Sequence, residues 1–76
     1  MNTKDILYKA FMSHAQGHID KHVANVNVML EKPVGIGEHA DIIETIEKEM
    51  KIVAEYEDLM ACMEKHFGND KENLNE

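Results

Sequence analysis

Lys32-Pro33-Val34-Gly35-Ile36-Gly37-Glu38-His39-Ala40-Asp41 is the one stretch where proline and paired glycines interrupt a sequence that otherwise carries helical spacing. Pro33 lacks a backbone N–H and disfavours helical geometry at Lys32, while Gly35 and Gly37 open backbone angles closed to other residues, so a preceding helix must stop here. Glu38 and Asp41 stand where a new helix would begin, at the end where the helix dipole favours negative charge. The stretch predicts an all-α antiparallel helical hairpin. Its first arm spans about 3–32, its hinge 33–37 and its second arm about 38–67, together one domain over 1–67.

On the C-terminal side of the hinge, Ile42, Ile46, Met50, Val53, Tyr56, Met60, Met63 and Phe67 recur at intervals of three and four, the spacing of one helical stripe. Lys65 and His66 fall in the last turn, and Gly68 stands where a left-handed cap commonly ends a helix. On the N-terminal side, Thr3 is the expected N-cap. Leu7, Phe11, Ala15, Ile19, Val23, Val26 and Leu30 keep helical spacing through Gly17. Glycine inside a helix costs about 1 kcal/mol relative to alanine, so the arm is either one bent helix or two shorter ones, about 4–16 and 18–32. The segment 68–76 is polar, has no apolar face to bury, and is expected to be disordered.

Ile43, Ile52, Leu59 and Cys62 lie off the main stripe of the second arm, and Val28 and Met29 widen the apolar face of the first. Two helices cannot bury three faces. A chain of 76 residues also buries a small fraction of its surface, so the hairpin is expected to self-associate into a helical-bundle oligomer, either a dimer or a tetramer of two such pairs. With 15 acidic and 8 basic residues the formal charge is −7, which disfavours duplex nucleic acid and anionic membranes as partners. No apolar run approaches the roughly 20 residues needed to span a bilayer. The single cysteine excludes an intrachain disulfide.

His14, His18 and His22 are spaced i, i+4, i+8, and Cys62 with His66 repeats that interval; such pairs can chelate a divalent metal. The chain has no Glu-x-x-His motif, and Gly17 interrupts the ridge, so solvent contacts and structural hydrogen bonds account for these rings and no metal is assigned. Ser13 and His14 are adjacent and diverge on a helix, leaving no nucleophile with a base. The carboxylates Glu44, Glu47, Glu49, Glu55, Glu57, Asp58 and Glu64 read as a solvated face, some pairing with Lys48 and Lys51. The chain thus reads as no enzyme and needs no cofactor.

Gly35-x-Gly37 before a helix start offers backbone N–H groups and the positive end of a dipole, an arrangement able to receive phosphate, with Lys32 and His39 beside it. Lys21, His22 and Asn25 form a second polar cluster on the first arm, and Tyr8 and Phe11 supply flat surfaces on which a base could stack. The plainer reading makes Phe11 core and leaves Lys21 and Asn25 in solvent.

Gly17-His18-Ile19-Asp20-Lys21-His22, Asn25-Val26, the hinge from Lys32 to Asp41 and Ala54-Glu55-Tyr56-Glu57-Asp58 together resemble a group of very small helical proteins encoded by tailed bacteriophages. The resemblance covers most of residues 17 to 67. Phages carry several unrelated families of small oligomeric proteins that sequester the cyclic nucleotide signals of bacterial CBASS defence, and the chain is similar to such an anti-CBASS sponge. The resemblance implies binding of a cyclic dinucleotide without hydrolysis, in the cytoplasm of the infected bacterial host. Its ligand residues would be Lys21, His22, Asn25, Gly35, Gly37 and His39. The alternative is a non-enzymatic, homo-oligomeric structural or protein-interaction protein of a phage.

Overall fold

A computed structural model describes residues 2–31 and 41–68, which form two helices, α1 (Thr3–Glu31) and α2 (Ile42–Phe67), packed against each other. At 1.5 Å per residue their 29 and 26 residues span about 44 and 39 Å. The predicted hinge, with Gly35, Gly37 and His39, lies outside the described residues, as does the tail beyond Gly68.

α1 runs through Gly17 without a break, so the two-helix alternative for the first arm is set aside. A Cβ on Gly17 would meet nothing within 4 Å. The glycine therefore marks open surface, not a close approach. The N-cap falls one residue before the expected Thr3: Asn2 Oδ1 accepts the Asp5 N–H at 2.8 Å. At the other helix the start comes later than residue 38. Asp41 is the N-cap, its side chain accepting the Glu44 N–H at 3.1 Å and its carbonyl the Thr45 N–H at 2.9 Å. Gly68 closes α2 through its N–H to Glu64 O at 3.0 Å, but with φ −106° it is not a left-handed cap. Glycine leaves room there for the Tyr8 ring: an added Cβ would lie 2.9 Å from Cζ, so the ring or the helix end would have to shift.

Contacts between His22 and Glu49, between His18 and Tyr56 and between Tyr8 and Gly68 set the helices antiparallel. The seam has a seven-residue repeat. On α1, Tyr8, Ala15, His22 and Met29 alternate with Met12, Ile19 and Val26; on α2, Ile42, Glu49, Tyr56 and Met63 alternate with Ile46, Val53 and Met60. Every one of these is buried or half-buried, as knobs along a two-helix seam must be. Ala15, Ile19, Val26 and Val53 are the buried core.

The stripe expected on the first arm is therefore rotated. Leu7, Val23 and Leu30 are exposed, while Tyr8, Met12, His18, His22 and Met29 turn inward. Val28 points outward, and on α2 Met50 and Phe67 lie on exposed edges of their stripe.

Candidate functional site

Because α1 is continuous, its four-residue spacing stacks His14, His18 and His22 along one ridge. His18 lies flat on Tyr56, centroids 4.4 Å apart and planes 2° from parallel. His14 meets His18 edge-on at 4.6 Å, and Tyr56 at 6.1 Å. His22 continues the ladder in near-parallel orientation, 6.4 Å from His18. Burial holds the His18 pKa below its ordinary 6.5, with smaller contributions from the charges of His14, His22 and Lys21. Among the described residues no group of three or more His, Cys, Asp or Glu is placed to hold a metal ion. The ladder is an aromatic surface.

One turn nearer the hinge, the two arms are joined by a polar layer. Glu49 Oε1 accepts from His22 Nδ1 at 2.6 Å and from Asn25 Nδ2 at 2.9 Å. A carboxylate only accepts, so the His22 proton sits on Nδ1. The hydrogen bond from Asn25, and then that from His22, hold the Glu49 carboxyl below the usual carboxylate range. Both side chains of the His22–Glu49 pair are largely enclosed, at 12 % and 19 % exposure.

Glu49 is thus not part of the solvated acidic face on which the sequence places it. It occupies the seam position that Ile42, Tyr56 and Met63 share at intervals of seven, and that interval is the signal that marks it. The expected pairing of exposed carboxylates with lysine holds for Lys51 and Glu47, 3.8 Å apart across one turn.

Of the sequence-predicted ligand residues, His22 and Asn25 meet at Glu49, spending the Nδ1 donor of His22 and one amide N–H of Asn25 inside the hairpin. Lys21 is exposed and borders a shallow cavity of about 280 Å³ shared with Ser13, His14, Gly17 and His18. Gly35, Gly37 and His39 lie outside the described residues. Phe11 is half-buried next to His14, their centroids 6.4 Å apart, and Tyr8 is occupied against Gly68. Sequence reasoning missed Tyr56 as an aromatic partner of the histidines. A second cavity, about 470 Å³, opens at the far end between Leu7, Tyr8, Met63 and Phe67, and its walls are almost wholly apolar.

The arrangement presents, on one flank, the exposed ammonium of Lys21, the imidazoles of His14 and His18, the Ser13 hydroxyl and a flat ring surface. No helix of the described residues is long and apolar enough to cross a membrane. Comparison with protein-family models, with curated proteins and with solved structures gives no match for this chain.

Proposed function

We propose that this protein is a non-enzymatic, self-associating phage immune-evasion protein that sequesters a cyclic dinucleotide signal of bacterial CBASS defence in the host cytoplasm. The observation that carries the reading is the Lys21 flank, where the ammonium borders a cavity walled by His14, His18, Ser13 and Gly17 with Tyr56 stacked behind His18. Lys21 offsets locally the field of a chain of net charge −7. The aromatic ladder supplies a face for a purine.

At about 280 Å³ the cavity falls just below the usual range for small-molecule sites. A cavity of that size takes only part of a cyclic dinucleotide, so the ligand is shared between adjacent chains, which a tetramer of two hairpin pairs allows by bringing two outward Lys21 flanks together. His22 and Asn25 each give one donor to Glu49, and the remaining amide N–H and the amide oxygen of Asn25 are the groups proposed to read a base edge. Gly35, Gly37 and His39 remain phosphate-binding candidates on sequence grounds.

A rival reading rests on the same polar layer. His22 and Asn25 already have an acceptor in Glu49, and a carboxylate beside an anion is unfavourable, which favours a structural or protein-interaction role for the bundle.

Calorimetric titration against a panel of cyclic dinucleotides and trinucleotides separates the two. The sponge reading predicts saturable binding, return of intact nucleotide after heat denaturation, and weakening by at least about tenfold in Lys21→Ala, equivalent to about 1.4 kcal/mol. Absence of binding across the panel leaves the structural role.

A further inference from the structure

We propose that a second copy of this chain covers the hinge-side half of one flank of the hairpin, the strip formed by Val23, Leu30, Ile43 and Met50. The inference deepens the self-association part of the reading above and is independent of the nucleotide.

The strip follows from the seam. In an antiparallel helix pair, the positions one residue after His22 and Met29 and those one residue after Ile42 and Glu49 lie on the same side of the pair. His22 faces Glu49, so Val23 stands level with Met50, and one heptad on Leu30 stands level with Ile43. These four side chains are 39 %, 44 %, 65 % and 71 % exposed, and they border the seam residues Ile19, Val26, Ile46 and Val53. Continuing away from the hinge, the same column carries Gln16 and Lys9 on α1, with Glu57 and Glu64 on α2, all exposed. The flank is therefore apolar over one half and polar over the other.

A second copy fits this strip on three grounds. The strip is two helices wide, the width another hairpin presents, and a strip laid on itself satisfies the self-complementarity of a two-fold interface. Among the described residues the buried core is Ala15, Ile19, Val26 and Val53, little for a chain of 76 residues to stand on alone; pairing strips converts two half-cores into one four-helix core. The C-terminal segment is a poor cover, because residues 69–76 contain one apolar residue, Leu74, and begin at the far end of α2, about 27 Å from Met50 along the helix. Pairing through this flank also leaves the opposite one, with His14, His18 and Lys21, facing outward.

Light scattering on the full chain at micromolar concentration tests the assignment. The parent should show a multiple of 8.7 kDa. Leu30→Glu and Ile43→Glu each place an unpaired charge in the interface and should weaken association at least ~100-fold, whereas Val28→Glu, the same charge on another exposed face of α1, should leave the mass unchanged. A monomeric, helical parent overturns self-association altogether. An oligomeric parent whose mass survives both substitutions overturns the strip while leaving self-association standing. Should the substituted chains unfold, hydroxyl-radical labelling of the parent decides: with each rate divided by the intrinsic reactivity of its residue type, Met50 and Leu30 are protected relative to Val28 if the strip is covered, and normalised labelling of all three in proportion to their exposure in the single chain contradicts it.

Discussion

Glu49 ties the two arms together, and its two partners make it the residue whose loss is felt most locally. Glu49→Ala leaves His22 and Asn25, both half-buried, without their acceptor, a loss of about 1–3 kcal/mol, measurable as a lowered urea midpoint. The same site has a pH signature. The Glu49 pKa is depressed in the folded chain, so its contribution is present above the ordinary carboxylate value and is lost as pH falls through the folded one. The His18 pKa is also depressed, so folding disfavours its protonation: stability is intact above about pH 6.5 and declines below it. Both slopes have one sign. Thermal midpoints should fall on acidification from pH 7, beginning near pH 6.5 and continuing through the carboxylate range. His18→Gln should flatten the upper part of the decline and Glu49→Gln the lower; a midpoint constant from about pH 7 to about pH 5 would contradict the His18 assignment, and one that stays constant on further acidification to about pH 2 the Glu49 assignment. At this scale the sequence is least legible. Glu49 looks like its acidic neighbours because residue type does not reveal orientation, and only the seven-residue interval places it on the seam.

The helices themselves were written plainly. Period and charge reversal correspond to features of α2, and Gly68 does end it, though not as the left-handed cap expected; the start shifts to Ile42, with Asp41 as the N-cap rather than a residue of the first turns. Gly17 reads as a break or bend because glycine lowers helix propensity, yet propensity is a weak prior beside packing on both sides. Gly17 meets nothing within 4 Å of an added Cβ, so Gly17→Ala should stabilise the chain by about 0.5–1 kcal/mol, seen as a raised midpoint with unchanged helicity. Gly68→Ala should do the opposite. Its Cβ would press on Tyr8, and a cost of about 1 kcal/mol, the low end for overpacking, is expected at a helix terminus that can yield. The rotation of the α1 stripe was not legible, since Leu7, Val23 and Leu30 satisfy helical spacing as well as Tyr8, His22 and Met29 do; which set faces α2 is decided by pairing across the seam.

For the molecule as a whole, the surplus of apolar positions is the ground for proposing self-association, and the sequence places that surplus on Ile43, Ile52, Leu59 and Cys62 of the second arm and Val28 and Met29 of the first. Ile43, Leu59 and Val28 are indeed exposed. Ile52 is half-buried beside the seam, and the broad exposed strip is formed by Val23, Leu30, Ile43 and Met50. Two chains of net charge −7 repel one another, so raising salt should tighten the assembly by screening; weakening with salt would instead indicate a partner of opposite charge. The central claim, that the hairpin is half of a bundle, is tested most directly by thermal unfolding at several chain concentrations. If folding is coupled to assembly, the unfolding midpoint rises steadily with concentration. A cooperative midpoint that stays constant across a hundredfold dilution would mean that the hairpin folds alone, and the account would fail.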